Sequence, residues 1–223
     1  MPPEIEVITY SGVKCYLIKT ANGFILIDTG FTKNRSDIER RLVNAGCQSG
    51  NLKLILITHG DLDHTGNAAY LRGKFGAKIA MHEGDSGMVE QGDMLWNRRV
   101  KAYIKVIGKI LGSLPGAGLN KKNRFYPDLY ISDGWSLTEY GFEAKVIYLP
   151  GHSEGSIGIL TANGDLFCGD LFINKKKPCF SDVYNYLEAA RASVEKLKLL
   201  DVKRVYPGHG KSFSWKEYLR DYE

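Results

Sequence analysis

Residues 58–64, Thr-His-Gly-Asp-Leu-Asp-His, set two histidines and two aspartates within a single short stretch. They follow directly on Leu52-Lys53-Leu54-Ile55-Leu56-Ile57, an apolar run suited to a buried strand. Two further loops have the same form, "YLPGH" ending in His152 and "YPGHG" containing His209, each behind a strand-like run. A fourth, "LFCGD", ends in Asp170. Imidazole nitrogens and carboxylate oxygens suit zinc, iron and manganese, and three of the four loops lack cysteine, which argues against a closed structural zinc site. Several donors on one short loop, with others from distant strands, describe an open catalytic site with room for two ions. Two ions held about 3.5–4 Å apart can share a hydroxide that attacks a carbonyl or phosphoryl centre. The fifth histidine, His82, closes "AKIAMH" beside Glu83 and Asp85 and reads as a structural residue.

In α/β sheets, ligands gather beyond the carboxyl ends of strands, so the four loops are expected to converge. Strand-like alternation fills the first thirty residues, with Asn22-Gly23 as a hairpin signal. The pattern then predicts a polar helix over about 34–45, a buried strand at 52–57, a short helix near 67–75 and a parallel strand in "AKIAMH". Strand signals resume with "FEAKVIYLP", with "GSIGILTANGDLFCGD", which holds a second hairpin signal at Asn163-Gly164, and with "VKRVYP". A helix over about 184–200 separates the last two. The segment at about 83–125 differs in character and reads as a helical insertion, with Val100, Tyr103, Ile104, Ile107 and Leu111 at helical spacing and lysines opposite. Met88, Met94, Leu95, Trp96 and Tyr103 could line an apolar pocket, although packing of the insertion on its scaffold is the favoured reading. The faint echo between "NGFILIDTG" and "NGDLFCGDL" fits two related halves forming a four-layered α/β sandwich.

The 223 residues are 43% hydrophobic, enough for one generous domain with a proper core. A net charge of +5 permits an anionic substrate but falls far short of a dedicated nucleic-acid binder. Cys15, Cys47, Cys168 and Cys179 form no CxxC pair and read as buried or incidental thiols of a reducing compartment. The N-terminus lacks a basic region followed by an apolar core, and no apolar run approaches the roughly 20 residues of a membrane span. A soluble cytoplasmic protein is expected, with a small-molecule substrate, no membrane partner and an unassigned oligomeric state.

"THGDLDHTGN", "LPGHSEGSIG", "FCGDLF" and "VYPGHG", in this order and with "IDTG" at 27–30, resemble the metallo-β-lactamase superfamily over nearly the whole chain. The resemblance implies an αββα sandwich with a binuclear metal site at one edge. Carried over by position, His59, Asp61 and His152 bind one ion, Asp63, His64 and His209 bind the other, and Asp170 bridges both. Asp28 then supports the loop or orients a ligand from behind. The bridging hydroxide is the nucleophile of such sites, and Asp63 is the candidate proton shuttle. Two divalent ions are expected, with zinc leading and manganese or iron as alternatives.

The usual family pattern is HxHxDH, whereas this chain has Asp61 in place of the second histidine. Three aspartates, two divalent ions and a hydroxide sum to zero charge, which predicts a weaker Lewis acid and a shift towards harder ions. The leading reaction is hydrolysis of an ester, lactone or thioester. Lactonase or carboxylesterase activity is favoured over glyoxalase II-like activity because the chain ends about fourteen residues after His209, short of those enzymes' extra helical region. A phosphodiesterase or nuclease is the alternative that Arg98, Arg99, Lys101, Lys105, Lys109, Lys121, Lys122, Arg124 and Lys175–Lys177 would serve. A third is a di-iron oxidoreductase supplied with electrons by a separate donor, since flavodiiron-type relatives carry a carboxylate at the position of Asp61.

Overall fold

The computed structural model describes residues 4–98, 119–181 and 185–222. Its strands are β1 (Glu4–Tyr10), β2 (Val13–Thr20), β3 (Gly23–Ile27), β4 (Leu52–Leu56), β5 (Lys78–Met81), β6 (Leu129–Tyr130) and β7 (Ala144–Tyr148). There follow β8 (Ile157–Thr161), β9 (Asp165–Phe167), β10 (Phe172–Asn174), β11 (Cys179–Phe180), β12 (Arg204–Tyr206), β13 (His209–Gly210) and β14 (Phe213–Ser214). Helices are α1 (Arg35–Asn44), the one-turn α2 (Leu62–Thr65), α3 (Ala68–Phe75), α4 (Ser86–Gln91), α5 (Leu187–Lys198) and α6 (Trp215–Tyr222).

Two sheets result. The larger runs β11-β10-β13-β2-β3-β4-β5-β6, with β1 also on β2, and the smaller runs β14-β12-β9-β8-β7. Side chains alternate between the faces of a strand, and that period of two sorts the core into layers. In β2, Cys15 and Leu17 pack with Ile38 and Leu42 of α1 and Leu71 and Phe75 of α3 on the outer side of the large sheet. Tyr16 and Ile18 point the other way and meet Val146, Ile157, Ile159 and Phe167 of the small sheet. On the far side of the small sheet, Ile147, Leu160 and Val205 pack against Ala190 and Leu197 of α5 and Trp215 and Tyr218 of α6. The order is helices, sheet, sheet, helices, the four-layered arrangement expected.

β3, β4, β5 and β6 are mutually parallel, and β9 and β12 are parallel in the other sheet. The helix between "LKLILI" and "AKIAMH" therefore does what a parallel pair needs. At the first hairpin the register places Thr20 opposite Gly23, so the two connecting residues are Ala21 and Asn22 rather than Asn22-Gly23. Gly23 itself has φ +127°, and a Cβ there would run into the Asn51 carbonyl. The helical stripe read at Val100–Leu111 lies outside the described residues. Of the flanking residues, Met88 is fully buried and Met94 packs on the core between helices and large sheet, which favours packing over pocket lining.

Candidate metal centre

Each predicted donor sits just beyond the carboxyl end of a strand. Asp28 follows β3, His59 to His64 follow β4, His152 follows β7, Asp170 follows β9 and His209 follows β12. Main-chain hydrogen bonds tie these exits together, across the two sheets from Ile157 N–H to Thr58 C=O at 2.9 Å and from Lys14 N–H to Gly208 C=O at 2.8 Å, and within the small sheet from Gly208 N–H to Gly169 C=O at 2.8 Å. The loops are thus fixed relative to one another before any side chain acts.

All seven predicted donors come together. Ligand atoms of His59, Asp61 and His152 lie within 4.8 Å of one another, and so do those of Asp63, His64 and His209. A third such group, His59, His64 and Asp170, puts Asp170 between the two. The rings of His59 and His64 are 4.0 Å apart at their centroids, and those of His59 and His152 are 4.6 Å apart. His82 lies elsewhere, stacked on Tyr148 with its Nδ1 accepting the Gly84 N–H, in keeping with its structural reading.

The partners of the imidazoles determine which nitrogen faces inward. His209 Nδ1 lies 3.0 Å from the Gly12 carbonyl, which can only accept, so this nitrogen carries the proton. His64 Nδ1 meets Asp28 Oδ2 at 2.8 Å and is likewise the donor. Thr58 spends its hydroxyl proton on Asp28 Oδ2, so towards His59 Nδ1, 3.0 Å away, it accepts. In all three rings the Nε2 lone pair is left for the centre. Asp28 also accepts the Thr58 N–H at 2.9 Å and has φ +60°, an uncommon backbone state for a non-glycine residue. It lies behind His64 and Thr58, bonded to both.

Charge coupling within the cluster is strong. Burial alone would lower His64, but Asp28, Asp170 and Asp63 outweigh it and push it up to about 10. His209 is pushed up to about 9 by Asp170 and Asp63 against the same opposition. Burial with the neighbouring His64 and His152 lowers His59. Asp170 is held well below the usual carboxylate range in spite of its burial, chiefly by His64 and His209.

Sequence reasoning missed two buried charged residues. Asp85 is fully buried and accepts from the Gly60 N–H at 2.8 Å, the Ser153 hydroxyl at 2.6 Å, the Gly155 N–H at 2.8 Å and the Asn97 amide. It joins the His59 loop to the His152 loop. Arg98, read as one of a set of phosphate-facing or solvated cations, is only 7% exposed. Its Nη2 donates to Asp61 Oδ1 and its Nη1 to the His152 carbonyl. This corrects the charge count for the Asp61 variant, because a guanidinium accompanies the extra carboxylate. Neither residue lies in a periodic pattern or motif that marks it. Lys121, Lys122, Arg124 and Lys175–Lys177 are exposed, while Arg99, Lys101, Lys105 and Lys109 lie outside the described residues.

The sequence matches the family model of the metallo-beta-lactamase superfamily over residues 8–209. It is 26% identical over 203 residues to Beta-lactamase-like protein 2 homolog of Caenorhabditis elegans, covering 91% of this chain and 57% of that protein. It is 32% identical over 127 residues to hydroxyacylglutathione hydrolase GloC of Haemophilus influenzae, covering 54% of this chain and 50% of that protein. The chain thus spans between half and three fifths of the length of these curated relatives. TTHA1623 in a di-iron-bound form superposes with a TM-score of 0.72 at 24% identity, covering 97% of each chain. The metallo-beta-lactamase family protein TTHA1429 of Thermus thermophilus gives 0.70 at 25% identity, covering 99% of this chain and 78% of that one. With motif order, sheet order and strand-end histidines all in agreement, the chain belongs to the metallo-β-lactamase superfamily.

Proposed function

We propose that this chain is a hydrolase that uses two divalent metal ions to cleave an acyl bond, an ester, thioester or lactone, in a small molecule. The observation that carries this reading is a set of three clustered, buried ligand atoms with no hydrogen-bond partner among the described residues, His59 Nε2, His64 Nε2 and Asp170 Oδ1. An unsatisfied buried polar atom costs about 1–3 kcal/mol, and three clustered together mark a cradle for a cation. The donor set fits such ions, since three rings present Nε2 with Nδ1 already committed to Thr58, Asp28 and Gly12. His59, Asp61 and His152 would hold one ion, Asp63, His64 and His209 the other, with Asp170 between them. Zinc leads. Manganese suits the added carboxylate, and TTHA1623, which binds two irons on this fold, keeps iron among the ions to test.

When bound, the ions supply a water that is nucleophilic at neutral pH and polarise the substrate carbonyl. The chain supplies orientation and proton handling. Asp28 holds His64, Thr58 holds His59 and the Gly12 carbonyl holds His209, each in one tautomer. Asp63 is partly exposed, with Oδ2 at 3.2 Å from His209 Nε2, and its carboxylate takes the proton of the attacking water and returns it to the leaving oxygen or sulfur. The hydroxyacylglutathione hydrolase relatives support a thioester as the first substrate to try. The phosphodiesterase reading loses Arg98, whose guanidinium is engaged by Asp61. Among the described residues no helix is long and apolar enough to cross a membrane, which suits a substrate met in solution.

Elemental mass spectrometry on protein prepared without chelator or metal-binding tag should find about two ions per chain. The loaded protein should then turn over at least one of a hydroxyacylglutathione thioester, an aryl acetate and a lactone. One ion or fewer, or two ions with no acyl substrate cleaved while an aryl phosphodiester is, would overturn the proposal.

A further inference from the structure

Resting on the two-metal reading, we propose that Arg98 is a positioning residue that pairs with Asp61 so that the two together replace one neutral imidazole at the first subsite. The geometry is that of a clamp. The arginine fork spans from Asp61 Oδ1 to the main-chain carbonyl of His152, two residues of the same subsite. Asp61 Oδ2 is thereby turned inward, 3.0 Å from His152 Nε2 and 3.6 Å from His59 Nε2. With Oδ1 engaged, the carboxylate offers one inward donor atom, as a histidine does through Nε2.

Arg98 is itself held. Asn97 gives its side-chain amide to the Gly84 carbonyl at 2.7 Å and to Asp85, and its carbonyl accepts from the Tyr186 hydroxyl at 2.6 Å. The Asn185 amide reaches the His152 carbonyl that Arg98 also contacts, at 2.6 Å. A guanidinium bonded to Asp61 and the His152 carbonyl, on a backbone held at Asn97 by Gly84, Asp85 and Tyr186, is a built feature rather than a surface cation folded inward.

The electrical consequence follows from counting charges. Two divalent ions, a hydroxide, Asp63 and Asp170 sum to +1. Asp61 alone brings the sum to zero, and the guanidinium restores +1. The pair therefore keeps the charge of a site built with histidine. Its two members are interdependent, because Arg98 without Asp61 is an unpaired buried cation and Asp61 without Arg98 loses the partner that fixes its Oδ1.

The test is a cycle read by cobalt(II) titration, following the visible spectrum and the two stepwise affinities. Wild type should bind about two cobalt ions. Asp61→His places a neutral ring against an unpaired buried cation, and first-subsite affinity should fall by about a hundredfold or more. Adding Arg98→Gln should recover affinity to within about tenfold of wild type, whereas adding Arg98→Lys, which keeps the charge, should not. Near-UV circular dichroism reports the fold of each variant. Where Asp61→His does not fold, the wild-type background decides: Arg98→Gln should shift first-subsite affinity by more than about tenfold and Arg98→Lys by less. Wild type that binds fewer than two ions overturns the two-metal reading and this inference with it. Wild type that binds two, with Asp61→His binding both equally well or with no rescue by Arg98→Gln, overturns the pairing alone. So does an Arg98→Gln variant without a shift.

Discussion

Asp28→Asn tests the link from the hydrogen bonds behind His64 to metal affinity with the smallest change of shape. Asparagine tolerates the positive φ of 60° at this position, so no backbone strain enters the comparison. The carboxylate makes three contacts: Oδ1 accepts the Thr58 N–H, and Oδ2 accepts both the Thr58 hydroxyl and His64 Nδ1–H. An amide can adopt two orientations. With NH2 at the Oδ2 position, two bonds are lost and donor faces donor at His64, a cost of about 3–5 kcal/mol. With NH2 turned to the Thr58 N–H, one bond is lost, at about 1.5–3 kcal/mol. The cheaper orientation wins, so metal-free protein should lose about 1.5–3 kcal/mol. His64 then leans on a neutral acceptor rather than a carboxylate and becomes a poorer ligand, which should weaken the second ion by about tenfold to a hundredfold, or about 1.4–2.7 kcal/mol. Urea unfolding of the metal-free variant and chelator competition for the loaded one read the two effects separately. A variant within about 0.5 kcal/mol of wild type in stability and about threefold in metal affinity would refute this role for Asp28.

Three further expectations concern pH, backbone and core. At neutral pH the metal-free protein keeps protons on His64 and His209, because the surrounding carboxylates overcome burial and push them up to about 10 and about 9. Both values are raised, so their contribution to metal-free stability is full below about 6.5 and lost as pH rises through 9 and 10; loading at pH 7 should release about two protons from these rings, besides the one lost by the water that becomes hydroxide. Titration calorimetry in buffers of different ionisation enthalpy measures this, and a heat independent of buffer would contradict it. Gly208→Ala puts a methyl group onto Asp170 Oδ1 and within 2.7 Å of His64 Cε1, and it should lower ion content while secondary structure is retained by circular dichroism. Phe167→Ala removes a fully buried ring packed between Tyr16 and Tyr206 and should cost about 3–5 kcal/mol by denaturant unfolding with metal absent.

The fold was legible where local pattern and chemistry coincide. The alternation in "VKCYLIKT" and "LKLILI" sorts directly onto the two sides of the large sheet, and His59, His64 and His209 lie just past the carboxyl ends of parallel strands, with His152 past the antiparallel edge strand β7. The first hairpin was legible too, since its flanking runs end at Thr20 and begin at Gly23 as the strands do, whereas the close approach of Gly23 to the Asn51 carbonyl depends on a segment distant in sequence. Arg98 and Asp85 were not legible as site residues. Burial of a charge is decided by its partner, and Asp61 lies 37 positions from Arg98 while Gly60 lies 25 from Asp85. An arginine in "WNRRVK" reads as solvated until that partner is known.

The donors come from both sheets, and this bears on when during folding a cation could be held. During synthesis the loop bearing His59 to His64 emerges long before His152 and His209, and in isolation it offers a cation two imidazoles and two carboxylates on a floppy chain. Neither subsite has its full set of histidines until the second sheet has docked on the first through Tyr16, Phe167 and Tyr206. On the two-metal reading, metal capture would therefore be a late event, conditional on the apolar interior. On that reading, ions held there would act as rivets between the sheets, and exchange of bound metal should track the rare opening of that interior rather than the mobility of any surface loop.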